Sequence, residues 1–133
     1  MSIFVDTSVW SLALRRDMPP DIPEQEELKR ALETGTVFST GIVLQELLQG
    51  FSKPKAHKLI VQQFSSLPLV VPNRDDHIEA ADLRIKCRRR GVQSGTIDAL
   101  LAQLCIRHEL TMLTTDKDFH AISRIVPLTV WPA

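Results

Sequence analysis

The sequence lacks the features of a secreted, membrane-spanning or nucleic-acid-coating protein. Its 133 residues carry 16 basic and 16 acidic side chains, so the formal net charge is zero. A balanced charge argues against a protein that coats nucleic acid by electrostatic attraction alone. No apolar run approaches the roughly 20 residues of a membrane-spanning helix. The amino-terminal region also lacks the apolar stretch and cleavage site of a secretory signal. We therefore expect a cytoplasmic protein with no membrane association.

Cysteines and the common catalytic loops are equally scarce. The only two cysteines, Cys87 and Cys105, lie in helix-like stretches without CxxC spacing, which predicts reduced thiols. The sequence contains no Walker loop, no GxSxG and no GxGxxG. No repeat or long linker divides it, and a chain of this length can bury a substantial core. We therefore expect residues 1–133 to form a single domain.

What the sequence does contain is an alternation of short apolar segments with amphipathic ones. β-Branched segments bounded by turn residues predict strands, and apolar residues at helical spacing predict helices. Such alternation implies an α/β fold with a parallel sheet covered by helices on both faces. The predicted strands are Ile3–Val5, Val37–Ser39, Pro68–Val71, Met112–Thr114 and Leu128–Val130. The predicted helices are Ser8–Arg15, Glu24–Glu33, Ile42–Gln49, Lys55–Ser65, Asp76–Arg90, Ile97–His108 and Lys117–Ile122.

Several carboxylates fall where such a fold places its ligands, beyond the carboxyl ends of the strands. Asp6 follows the first strand, and Asp116 follows the strand that contains Met112. Asp98 lies at the start of the helix TIDALLAQLCIRHE, and Glu46 lies inside the helix IVLQELLQ. The fold returns to the same edge at each strand end, so their separation along the chain does not prevent them from meeting.

Each of these carboxylates also has a simpler explanation. Asp6 and Asp116 could cap helices, and Asp98 could complement the dipole of the helix that it opens. Glu46 could be a solvated residue beside the apolar face of its helix. Helix capping alone does not account for three aspartates at one sheet edge, because two carboxylates about 5 Å apart repel by roughly 3 kcal/mol at an effective dielectric near 20. Hard oxygen ligands without a nearby histidine or cysteine favour Mg²⁺ or Mn²⁺ and phosphoester hydrolysis.

Four segments resemble, in order, the four acidic motifs of PIN-domain ribonucleases. They are FVDTSVW, the acid in LQELLQG, TIDALLAQ and TTDKDF. The resemblance covers essentially the whole chain and is closest to VapC-type toxins of toxin–antitoxin pairs. It implies a three-layer α/β/α sandwich, cleavage of RNA with Mg²⁺ or Mn²⁺, and neutralisation by a cognate antitoxin. It also suggests a homodimer or a toxin–antitoxin hetero-oligomer. The site residues that it implies are Asp6, Glu46, Asp98 and Asp116, with Thr7, Ser8, Thr115 and Asp118 in supporting positions.

On this hypothesis Asp6, Asp98 and Asp116 bind metal, directly or through water. Glu46 would bind a second ion or orient the attacking water. Two alternatives remain open. One is a catalytically idle PIN-like module that only binds RNA or a protein. The other is a phosphoacceptor receiver domain, although receivers carry adjacent acids after the first strand, where this chain has Asp6 followed by Thr7.

Overall fold

The computed structural model describes residues 1–15 and 21–133. Within these residues the chain forms four strands and seven helices, each within two residues of its predicted bounds. The strands are β1 (Ile3–Val5), β2 (Val37–Thr40), β3 (Leu69–Val70) and β4 (Thr111–Leu113). The helices are α1 (Thr7–Leu14), α2 (Pro23–Thr34), α3 (Gly41–Gly50), α4 (Pro54–Phe64), α5 (Arg74–Arg89), α6 (Thr96–Arg107) and α7 (Lys117–Ser123). No helix in the described part of the chain is long and apolar enough to cross a membrane.

The four strands form one parallel sheet in the order β3–β2–β1–β4. In its register, Ile3 on β1 pairs with Val37 on one side and with Thr111 on the other. Because every strand runs in the same direction, all four carboxyl ends lie at one edge of the sheet. The predicted parallel α/β sheet is thus confirmed, and β1 occupies an inner position in it.

The predicted fifth strand at Leu128–Val130 is wrong. This segment makes only an isolated bridge to β4, between Val130 and Met112. The reason is local, because Pro127 has no N–H and the N–H of Leu128 donates to the carbonyl of Val126 over 2.7 Å. The first N–H of this segment is therefore not available to a longer ladder, although the composition of the segment is that of a strand.

Helices on both faces of the sheet bury it completely around β1. Ile3, Phe4 and Val5 are all fully buried, although their side chains point alternately to opposite faces. A strand that is apolar on both faces requires a layer on each side, which gives the predicted three-layer α/β/α arrangement. Both cysteines are free and buried in this core, as predicted.

The end of α2 shows how the sequence sets a helix boundary. Pro23 occupies the first turn, and Gly35 follows the last residue with a φ of 69°. The N–H of Gly35 faces the carbonyls of Ala31 and Leu32. Glycine adopts this left-handed conformation without the steric cost that a side chain adds, so Gly35 ends the helix one residue beyond its predicted end.

Candidate active site

The predicted carboxylates gather at the carboxyl edge of the sheet. Asp6 follows β1, Asp98 lies in the first turn of α6, and Asp116 precedes α7 just beyond β4. Asp98, Asp116 and Asp118 each bring one carboxylate oxygen within 4.8 Å of the other two. That group of three does not include Asp6 or Glu46. Asp118, predicted only as a supporting residue, is therefore one of the most closely grouped acids.

Asp6 is held by hydroxyl groups and does not cap a helix through its side chain. It occupies the residue before α1, but its carboxylate makes no capping hydrogen bond. Instead, its Oδ2 accepts a hydrogen bond of 2.8 Å from Ser8 and one of 2.9 Å from Thr114. Only 6% of Asp6 is exposed. The capping explanation is therefore wrong for Asp6, and the predicted contact with Ser8 is present.

Thr114 is the residue of this site that the sequence reasoning missed. Its side chain is buried and its hydroxyl accepts a hydrogen bond of 2.9 Å from the N–H of Asp116. The sequence predicts the next residue, Thr115, as a supporting residue instead. The backbone N–H of Thr115 donates to the hydroxyl of Ser8 over 3.1 Å. Since β1 and β4 pair in register, the residue after β4 lies beside Asp6, and that residue is Thr114. The register of β4 against β1 could have identified Thr114, but the sequence pattern does not fix this register to within one residue.

Asp116 both caps a helix and belongs to the acidic group. Its Oδ1 accepts a hydrogen bond of 2.9 Å from the N–H of Asp118 in the first turn of α7. The capping explanation is therefore correct for Asp116 but incomplete. Oδ1 faces the helix, while the carboxylate also contributes to the group with Asp98 and Asp118.

Asp98 is the acid of this site whose pKa is clearly raised. Burial, together with the negative charges of Asp116, Asp6 and Asp118, raises the pKa of Asp98 to about 6. The backbone N–H of Gly95 acts in the opposite direction and is weaker. The cap of α6 is Gly95 itself, and Asp98 lies three residues inside the helix. Mutual repulsion is thus present at this edge, as the sequence argument required.

Glu46 reaches the same region from α3. Its side chain is half-buried, and its Oε1 accepts a hydrogen bond of 3.1 Å from the hydroxyl of Thr7. Thr7 is the residue after Asp6, so this bond brings the fourth acid to the carboxyl end of β1. A freely solvated side chain does not describe Glu46, and Thr7, predicted only as a supporting residue, contacts this acid.

The donor set fits a hard divalent cation. The polar groups of the site are carboxylate and hydroxyl oxygens, which Mg²⁺ and Mn²⁺ prefer. Three carboxylates share a small volume, and burial and the charges of its neighbours raise the pKa of Asp98. A cation placed among them would remove the repulsion that now favours the protonated acid.

The fold is a parallel α/β sheet with a carboxylate cluster at its carboxyl edge, which is the class of structure that the family resemblance implies. The family model for the PIN domain matches residues 3–125. The chain belongs to the PIN-domain family.

Curated relatives match along nearly the whole chain. The chain is 30% identical to VapC ribonuclease Mb1587 of Mycobacterium bovis over 130 residues, which is 95% of each protein. It is also 30% identical, over 130 residues and 95% of each protein, to Ribonuclease VapC11 of Mycobacterium tuberculosis. Among solved structures, it is similar to the crystal structure of VapBC2 from Rickettsia felis bound to a DNA fragment from their promoter. The TM-score there is 0.73 at 23% identity, covering 98% of this chain and 97% of the other.

The receiver-domain alternative is wrong, because both the strand order and the family match contradict it. A receiver-like doubly wound sheet places its first strand between the second and the third. Here β1 lies between β2 and β4. The family match independently assigns the chain to PIN domains.

Proposed function

We propose that this chain is a Mg²⁺- or Mn²⁺-dependent endoribonuclease and the toxin of a toxin–antitoxin pair that acts in the cytoplasm. The observation that carries the activity is the group of carboxylates from Asp98, Asp116 and Asp118, with Asp6 beside it. Membership of the PIN-domain family and 30% identity to VapC ribonucleases support RNA as the substrate.

In the proposed site, Asp6, Asp98 and Asp116 hold the cation directly or through water. Asp118 is close enough to Asp98 and Asp116 to add a further ligand. Glu46 orients the attacking water or holds a second ion, and Thr7 keeps Glu46 in place. A bound divalent cation of this kind lowers the pKa of its water and neutralises charge on the phosphodiester.

The proposed reaction is hydrolysis of one phosphodiester bond. The oxygen of water attacks phosphorus, the bond from phosphorus to the ribose O3′ breaks, and O3′ leaves as a hydroxyl. The products carry a 5′-phosphate and a 3′-hydroxyl. The 2′-hydroxyl takes no part in these steps, so preference for RNA comes from the shape and single-stranded access of the substrate.

The test of the activity is cleavage of total cellular RNA by the purified chain with Mg²⁺ or Mn²⁺, with the product ends mapped. We expect cuts with 5′-phosphate ends that disappear with EDTA and with Asp98→Asn. Asp82→Asn is the matched control, because Asp82 is an exposed acid of α5 outside the cluster. Failure of the wild-type chain to cut any RNA while it binds Mg²⁺ would favour the idle binding module.

The partner in this proposal is a cognate antitoxin protein, as in the VapC-type resemblance. The fold shared with VapBC2 supports this assignment. Induced expression of the chain alone should arrest bacterial growth, and expression of Asp98→Asn should not. Growth arrest that persists with Asp98→Asn would separate toxicity from cleavage. The homodimer suggested by the resemblance stays a prediction, and the mass of the purified chain in solution tests it.

A further inference from the structure

Two hydroxyls converge on one oxygen of Asp6. Thr114 and Ser8 donate to the same Oδ2, at 2.9 Å and 2.8 Å. The hydroxyls themselves lie 3.4 Å apart. None of the described residues donates to the other oxygen, Oδ1. One oxygen of this buried carboxylate is therefore occupied by the protein, and the other is not.

The direction of these hydrogen bonds is fixed by their outer partners. Thr114 accepts from the N–H of Asp116, and Ser8 accepts from the N–H of Thr115. A backbone N–H can only donate and an ionised carboxylate can only accept. Each hydroxyl therefore receives a hydrogen bond from the backbone and passes its own hydrogen to Oδ2 of Asp6.

We propose that Ser8 and Thr114 are positioning residues that occupy Oδ2 of Asp6 and so present Oδ1 as the metal-binding oxygen. This inference rests on the proposed metal-dependent function; it adds Thr114 to the site and assigns a role to Ser8. Outer partners of metal ligands fix the ligand's orientation before the metal arrives. Without them, the carboxylate rotates about its terminal torsion and loses that preorganisation.

Thr114 links two strand ends in this arrangement. Its hydroxyl contacts the Asp6 carboxylate after β1 and the Asp116 backbone after β4. One side chain thereby sets the position of two proposed ligands relative to each other. Ser8 makes the same kind of link through the backbone of Thr115. Removal of either hydroxyl should weaken metal binding while the ligands themselves remain.

The experiment measures the dissociation constant of Mg²⁺ by calorimetry on the metal-free full chain. Thr114→Val keeps the shape and removes the hydroxyl, and Ser8→Ala does the same at the second position. Each should raise the dissociation constant at least about tenfold. Thr114→Ser keeps the hydroxyl and should stay within about twofold of wild type. Cleavage by Thr114→Val should recover as Mg²⁺ is raised, whereas cleavage by Asp98→Asn should not.

Thr40→Val is the matched control for a merely structural effect. Thr40 is a buried threonine at the same sheet edge, and its hydroxyl donates to the carbonyl of Val70 over 2.6 Å. This variant should lower the melting temperature in EDTA and leave Mg²⁺ affinity unchanged. If it weakens Mg²⁺ binding as much as Thr114→Val, general loosening explains the effect and the inference is wrong.

The wild-type chain separates this inference from the proposed function. If wild type binds Mg²⁺ and cleaves RNA but folded Thr114→Val and Ser8→Ala bind Mg²⁺ equally well, only the positioning role is overturned. If wild type binds no Mg²⁺, both fail together. Should Thr114→Val fail to fold, Ser8→Ala decides the matter, because Ser8 is only half-buried.

Discussion

The hydroxyl of Thr7 donates a hydrogen bond of 3.1 Å to Oε1 of Glu46, which is 39 residues away along the chain. The bond joins the first turn of α1 to the middle of α3. It places Glu46 next to the strand end that carries Asp6. A glutamate inside an amphipathic helix thereby becomes part of an edge that otherwise consists of residues at strand ends and helix starts.

The relationship between Thr7 and Glu46 predicts an unequal pair of effects on RNA cleavage. Glu46→Gln removes the charge of a proposed catalytic group and should reduce the cleavage rate by about 100-fold or more. Thr7→Val removes only the orienting hydrogen bond and should reduce it about three- to tenfold. Thr7→Ser should retain the wild-type rate. Initial rates on one RNA substrate measure all three, and equal losses for Thr7→Val and Thr7→Ser would argue against orientation by the hydroxyl.

Replacement of Asp98 should stabilise the metal-free protein at neutral pH. The pKa of Asp98 is raised from 3.8 to about 6 by burial and by its acidic neighbours. A raised carboxyl pKa favours folding below the unfolded value, near 4, and this contribution is lost as pH rises through about 6. At about 1.4 kcal/mol per pKa unit, the ionised Asp98 costs at most roughly 3 kcal/mol at pH 7.

The measurement is urea denaturation of wild type and Asp98→Asn in EDTA between pH 4 and pH 7. Since Asp98 is partly exposed, we expect the variant to be more stable at pH 7 by about 1–2 kcal/mol. The advantage should vanish near pH 4, where both proteins carry a neutral group. A variant that is less stable at pH 7 would show that hydrogen bonding or capping by Asp98 outweighs the repulsion.

Mg²⁺ should make wild type more stable than Asp98→Asn and so reverse their order of stability. A cation that binds only the folded state stabilises it, by about 2.7 kcal/mol at 100 times its dissociation constant, which exceeds the advantage of Asp98→Asn. Mg²⁺ should therefore raise the melting temperature of wild type and leave Asp98→Asn nearly unchanged. Sodium chloride at matched ionic strength controls for screening, and Asp82→Asn should respond as wild type does. Equal responses of wild type and Asp98→Asn would place the bound ion elsewhere.

The fold and the proposed acids could be predicted because they depend on short-range patterns. β-Branched runs and apolar periodicity locate strands and helices, and parallel strands must bring their carboxyl ends to one edge. Asp6 and Asp116 follow directly from that rule. Asp98 follows from its place at the start of a helix that faces the same edge.

The remaining contacts depend on registers and orientations that a sequence does not fix. The choice between Thr114 and Thr115 depends on the pairing of Val5 with Leu113. A slip of one residue would exchange their side-chain directions. The missing fifth strand depends on the N–H of Leu128, which turns back to Val126. In both cases the pairing of particular backbone groups decides the outcome, and composition does not report it.

The buried ion pair between Asp76 and Arg107 predicts a second pH dependence of opposite sign. Asp76 is fully buried at the start of α5, and Arg107 at the end of α6 binds both of its oxygens at 2.7 Å. Burial alone would raise the pKa of Asp76, but the hydrogen bonds of Arg107, Asn73 and Gln103 outweigh it and the pKa is lowered. The pair thus stabilises the fold above the unfolded pKa of Asp76, near 3.9, and is lost as pH falls through the lower folded value.

Arg107→Met should therefore destabilise the protein most at neutral pH. Without the guanidinium, Asp76 is a buried charge that lacks its main partner, and its pKa rises. The deficit in the free energy of unfolding relative to wild type should shrink as pH falls toward 4, because the variant then protonates Asp76 in the folded state. Asp75→Asn alters an exposed acid of the same turn and should shift stability by only about 0.5 kcal/mol. Urea denaturation across this pH range tests the prediction, and a deficit that stays constant with pH would assign the loss to packing of the Arg107 side chain.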